Sequence, residues 1–122
     1  MRNPPLDTVV RHAHQLAGPL AEPADAILVR RLAADRDSDA AAALVRRHGP
    51  MVLAVCRRSL GRAADADDAF QAAFLVLVRD ACRIRVPGSV AGWLHGVAVR
   101  VCREVRVRET RRRAREQRAE HP

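Results

Sequence analysis

Apolar residues in this chain recur at three- and four-residue intervals almost from end to end, and that period admits helices and little else. Ile27, Leu28, Leu32 and Ala33 form one such series. Ala40, Leu44, Val45, Met51, Val52, Val55 and Leu60 form a second. Phe70, Phe74, Leu77 and Ala81 form a third, and Leu94, Val97, Ala98, Val101 and Val105 a fourth. No stretch alternates apolar and polar residues as a half-buried strand does, and no internal repeat is visible. Phe70, Phe74 and Trp93 are the whole aromatic complement. The core must therefore be built from Ala, Val and Leu, which suits closely packed helices. The fold class expected is all-α, one domain of 122 residues.

Punctuation divides the series. Residues 1–23 are interrupted by Pro4, Pro5, Gly18, Pro19 and Pro23. Between them Leu6, Val9, Val10, Ala13 and Leu16 keep helical spacing behind Asp7, a good cap, so a short N-terminal helix is expected that packs on the body or frays. The polar run Asp35–Asp39 separates the first strong helix from the second. Gly49-Pro50 falls inside the second, where proline removes a hydrogen bond and collides with the Arg46 carbonyl, so a kink or short break is expected. Gly61 is the expected terminator. Asp65 is the expected N-cap of the third helix, with Asp67 and Asp68 favourable in its first turn. Arg83–Gly88 reads as a loop, and Ser89 as the cap of the last helix. The expected division is 1–23 as N-terminal extension, 24–108 as helical domain and 109–122 as arginine-rich linker or tail.

Charge narrows the partners. Twenty-two basic residues, all arginine, outweigh 14 acidic ones for a net charge of +8. Residues 100–118 hold nine arginines against three glutamates, so six of those eight charges sit in one segment. Such a chain suits a polyanion or an acidic protein surface. Arg100, Arg103 and Arg106, three apart on one helix, can follow a phosphate backbone. Arg83 and Arg85, with Pro87 and Gly88 before a helix start, offer cations and N–H groups to a phosphate or base edge. Trp93 reads as a core-edge residue or a stacking platform.

At 100° per residue, Phe70, Phe74, Leu77 and Ala81 share the inner side of the third helix. Asp65, Asp68, Gln71 and Leu75 share the outer side. Capping accounts for the aspartates but not for Leu75, so this stripe is a docking candidate. Enzymatic constellations are missing: there is no glycine-rich phosphate loop and no nucleophile elbow. His12 and His14 lack a third ligand at metal spacing, and Asp65, Asp67 and Asp68 lack a phosphate-binding companion. His48 and His95 lie in helical patterns and read as structural. Cys56, Cys82 and Cys102 form no paired motif and read as buried thiols of a reducing compartment. No enzyme activity, metal or cofactor is expected. No run has membrane-spanning length and no signal peptide is visible, so a cytoplasmic protein with no membrane partner is expected.

Four blocks then occur in a telling order: Ala43–Leu53 (ALVRRHGPMVL), Val55–Arg58 (VCRR), Asp65–Phe74 (DADDAFQAAF) and Gly92–Ala98 (GWLHGVA). Together they resemble region 2 of bacterial extracytoplasmic-function sigma factors, in flavour the planctomycete-type groups, over residues 25–110. The resemblance implies a region 2 bundle of about four helices, here with a short extra N-terminal helix. It implies a role in transcription initiation: binding core RNA polymerase at the β′ clamp helices, and opening and reading the minus-ten element on the non-template strand. The polymerase contact would fall on Asp65, Asp67, Asp68 and Gln71, beside Leu75. The DNA contact would fall on Arg83, Arg85, Ser89, Trp93, His95, Arg100, Arg103 and Arg106. Asp68 stands where the family usually has Glu, His95 where many relatives have Tyr, and Val90 and Ala91 where Phe and Arg are more frequent. The chain ends where the family's linker begins, so the C-terminal helix-turn-helix domain is expected to be absent. Two alternatives stay open: an interaction module that occupies polymerase or an anti-sigma factor without initiating, and a generic basic helical module that binds nucleic acid by charge.

Overall fold

A computed structural model describes residues 23–84 and 90–120. The described residues form four helices: α1 (Asp25–Asp35), α2 (Ser38–Ser59), α3 (Ala63–Asp80) and α4 (Val90–Glu120). One 3₁₀ turn, Ala81–Arg83, extends α3. No strand occurs among the described residues, so the all-α expectation holds. The expected N-terminal helix, its Asp7 cap, Arg85 and the Ser89 cap lie outside the described residues.

Local chemistry sets the helix ends. Arg36 closes α1 in the left-handed region (φ 49°), and its N–H donates to the Leu32 carbonyl at 3.0 Å. Asp37 then caps α2, its Oδ1 accepting from the Asp39 and Ala40 N–H groups at 2.9 and 3.2 Å. With only two residues between them, α1 and α2 pack directly together. Helix α2 ends at Leu60, whose extended backbone (φ −122°) breaks the run. Gly61 has no positive φ. The stop falls where expected, but the extended Leu60, rather than a left-handed glycine, produces it.

Two other expectations are corrected. Of the kink or short break expected at Gly49-Pro50, the break does not occur: α2 runs unbroken through Pro50. Proline forfeits one hydrogen bond there, but its ring is exposed, and Leu44, Val52 and Val55 anchor the helix on both sides of it. Asp65 is not an N-cap. Helix α3 starts two residues earlier, at Ala63, with Arg62 in the cap position and no side-chain cap bond. Ala63 and Ala64, the best helix formers, extend the helix backwards and leave Asp65 inside the first turn.

The core lies where α2, α3 and α4 meet in mutual contact, with α1 packed on α2, on α3 and on the 3₁₀ turn. Leu44, Val52, Leu77, Val90 and Leu94 are fully buried at its centre together with Cys56 and Cys102. Phe74 is buried and Phe70 half-buried, their rings 5.1 Å apart at 59°, a tilted aromatic pair. Cys82, expected to be buried with the other cysteines, is exposed on the 3₁₀ turn. It lies just past the last turn of α3, where the apolar period has already lapsed.

Candidate nucleic-acid and protein interfaces

Helix α3 has two chemically opposite faces. Ala66, Ala69, Ala73, Phe74 and Leu77 are buried. Asp67, Asp68, Gln71 and Leu75 are exposed and Asp65 half-buried, with Leu75 69% exposed. The wheel placement of Asp68, Gln71 and Leu75 away from the core, with Phe74 and Leu77 towards it, therefore holds. No carboxylate of Asp65, Asp67 or Asp68 has an ion pair or side-chain hydrogen bond among the described residues. Because α3 starts at Ala63, only Asp65 lies in its first turn, where the helix dipole favours a negative charge; Asp67 and Asp68, expected there too, lie beyond it. The result is an acidic surface ending in a leucine that no intramolecular packing explains.

The opposite charge lies on α4. Arg100, Arg103 and Arg106 are exposed and form no ion pair among the described residues. His95 is exposed too, so it is not a buried structural histidine; His48, only 7% exposed, is. Trp93 is half-buried and packed against the core, which fits the core-edge alternative. Arg83 and Arg100 are 17 positions apart in sequence, yet both lie close enough to Asp80 to act on its carboxylate. The Arg79 hydrogen bond is the main cause that holds Asp80 below the usual carboxylate range, and the charges of Arg83 and Arg100 add to it. The fold thus brings two of the expected DNA-contacting arginines into one neighbourhood. Arg85 and Ser89 lie outside the described residues.

Cys102 is the last buried residue of α4 and Val105 the last that packs against the core, but α4 continues to Glu120. Arg112 bridges Glu109 and Glu116, and Arg113 also reaches Glu109. These pairs, foremost the Arg112 hydrogen bond, hold Glu109 below the usual carboxylate range. Such i,i+3 and i,i+4 pairs support an exposed helix with no face to bury. Here Arg103, Arg106, Val107, Thr110 and Arg111 border an open depression of about 400 Å³. Of these, the sequence reading had picked out only Arg103 and Arg106 as contact residues; Val107 and Thr110 carried no charge pattern to flag them.

A second open groove, about 500 Å³, runs between α2 and α3, with Val45, Gly49, Pro50, Leu53 and Phe70 among its walls. The sequence pattern does not reveal it: Val45 and Phe70 fall in core series, Gly49 and Pro50 read as a breaker, and Leu53 lies off the apolar series. Among the described residues no group of three His, Cys, Asp or Glu side chains could hold a metal ion, and no helix is long and apolar enough to cross a membrane.

Residues 44–115, from the first half of α2 to the outer part of α4, match the family described as Sigma-70 region 2. No curated protein and no solved structure matches the chain.

Proposed function

The chain belongs to the Sigma-70 region 2 family, and on that premise we propose that it docks on core RNA polymerase through the outer face of α3 and engages the minus-ten promoter element through α4. Region 2 domains act in transcription initiation and bind polymerase and promoter DNA; the assignment of faces is our reading. Asp65, Asp67, Asp68, Gln71 and Leu75 would meet the β′ clamp helices. Unpaired carboxylates attract a basic partner surface at long range, and Leu75 supplies an apolar anchor at close range. Arg83, Arg85, Ser89, Trp93, His95, Arg100, Arg103 and Arg106 would hold the non-template strand. Capturing an unstacked base there costs a few kcal/mol, which cationic and stacking contacts offset. We read the chain as an extracytoplasmic-function type acting in the cytoplasm, with an anti-sigma factor as a further partner of the same surfaces.

One observation carries the reading: Asp67, Asp68, Gln71 and Leu75 are all exposed on a helix whose other side is buried. Binding of the chain to core polymerase, measured by titration calorimetry or pull-down, tests it. Asp68→Ala combined with Gln71→Ala should weaken binding by about ten- to a hundredfold, the scale of losing interface anchors. Circular dichroism should be unchanged, because both residues face solvent. Binding indifferent to both changes would remove the reading.

A further inference from the structure

We propose that the apolar groove between α2 and α3 is the docking site for an acidic amphipathic helix of a partner protein, its apolar side chains in the groove and its carboxylates against Arg46 and Arg57. This stands apart from the polymerase and promoter reading and does not depend on it. At 100° per residue, Phe70 lies about 140° round α3 from Leu75, so the groove opens on a different flank from the acidic stripe. Val45, Gly49, Pro50, Leu53 and Ala54 border it from α2, and Phe70 from α3.

Two observations mark the groove as a surface kept open. Val45 and Phe70 pack against the core from its floor, whereas Leu53 is half-buried without joining that packing. A β-carbon at Gly49 would meet the Phe70 ring at 3.7 Å and Val45 at 3.9 Å. Both are ordinary contacts, so internal packing does not require a glycine there. Yet Gly49 and Pro50, the two poorest helix formers, stand side by side in the middle of α2. Their effect is to keep the floor clear of side chains.

Charge and shape select the occupant. Among the described residues Arg46 and Arg57 line the groove and no carboxylate does. Arg57 is exposed and forms no ion pair among them. An apolar trough with cationic edges complements a helix whose apolar stripe is flanked by Asp or Glu. An extended peptide would find no free strand edge on α2 or α3 to bond with, so a helix suits it better. Nucleic acid matches the charge but not the walls: the Phe70 ring is tilted against Phe74 at 5.1 Å and 59°, and offers no flat platform to a base. A second copy is opposed by the +8 on each chain. Of its exposed large apolar side chains, Ile27, Val99 and Val107 stand beside arginines, and Leu75 lies on the face assigned to polymerase.

Fluorescence anisotropy with the full chain tests the docking. The probe is a labelled helical peptide with Leu at three- and four-residue intervals and Glu elsewhere. A length of about 13 residues matches the roughly 18 Å of α2 from Val45 to Arg57. It should bind about tenfold more tightly than a peptide of equal charge with Ser in place of Leu. Leu53→Glu, which lies outside the core packing, should abolish that difference with circular dichroism unchanged. Arg57→Glu should weaken the leucine peptide about tenfold. Arg108→Glu, the same change in net charge on the outer part of α4, should alter it by less than about twofold, because a remote surface charge is screened. Methyl signals of Val45 and Leu53 should shift on titration while those of Val99 and Val107 stay in place. Failure of the leucine peptide to bind would overturn the proposal. Equal binding of the serine peptide, or equal losses from Arg57→Glu and Arg108→Glu, would do the same by reducing it to attraction by net charge. So would groove methyl shifts that grow with chain concentration without peptide, which would make a second copy the occupant.

Discussion

Asp25, the first residue of α1, ties α1 to α2 by polar bonds beside their apolar packing. Its two oxygens serve the Arg47 guanidinium and His48 Nε2, the latter at 2.8 Å, and His48 is only 7% exposed. Asp25→Ala would remove the carboxylate that bonds His48 Nε2 and one partner of the Arg47 guanidinium. Arg47 and Asp25 keep 28% and 22% of their side-chain exposure, so water screens part of the loss. A destabilisation of about 1–3 kcal/mol is expected in urea unfolding. Asp25→Asn should cost less, because it keeps an oxygen for the bond to His48. The buried thiols give a second prediction. Burial, aided by a hydrogen bond to Cys102, pushes the Cys56 thiol up to about 12 from its ordinary 9.0. Above the ordinary value the unfolded chain loses that proton while the folded chain keeps it. The Cys56 contribution is therefore intact below pH 9 and is lost as pH rises towards 12. In the native protein a thiol reagent should modify Cys82 alone, since thiolate and access are both required. Cys56 and Cys102 should react only after unfolding.

At the scale of the helix, Pro50 shows how far a sequence pattern can be read. The phase of Leu44, Met51 and Val55 is continuous across it, and packing on that phase outweighed the local penalty. Pro50→Ala should therefore restore the bond to the Arg46 carbonyl and stabilise the fold. The gain would be bounded by the roughly 3 kcal/mol that an interior proline costs; the midpoint of thermal unfolding reports it. The same balance explains which expectations survived. Buried faces were legible because burial imposes a period: Phe74 and Leu77 inward fixes Asp68 and Leu75 outward. Helix ends were less so, because they depend on weak local choices. Ala63 and Ala64 carried α3 past its expected Asp65 cap, and Arg36 took the left-handed turn usually given to glycine. The outer surfaces were legible only as charge. Arg100 and Arg103 could be counted, but the nearness of Arg100 to Arg83 around Asp80 depends on how α3 and α4 pack, and the α2–α3 groove belongs to no single segment.

At the scale of the whole molecule, charge and packing are separated along α4. Its buried residues end at Cys102, while the arginine-dense stretch runs from Arg100 to Arg118. Stability and polyanion affinity should therefore respond to different halves of one helix. Ending the chain after Arg108 should remove helical signal in circular dichroism and leave the unfolding midpoint almost unmoved, since the deleted residues add nothing to the core. If about four phosphates are neutralised, log affinity for DNA should fall with log salt at a slope of about −3 to −4. Arg103→Ala and Arg106→Ala should each flatten that slope by about one. Slope alone does not distinguish promoter recognition from attraction by a basic surface, because both release counter-ions. Sequence preference does. A single-stranded oligonucleotide with a minus-ten element should bind more tightly than its scrambled counterpart at equal salt. His95→Ala should narrow the gap between the two oligonucleotides. Equal affinity for the two oligonucleotides, together with loss of polymerase binding at moderate salt, would reduce the chain to a basic helical module.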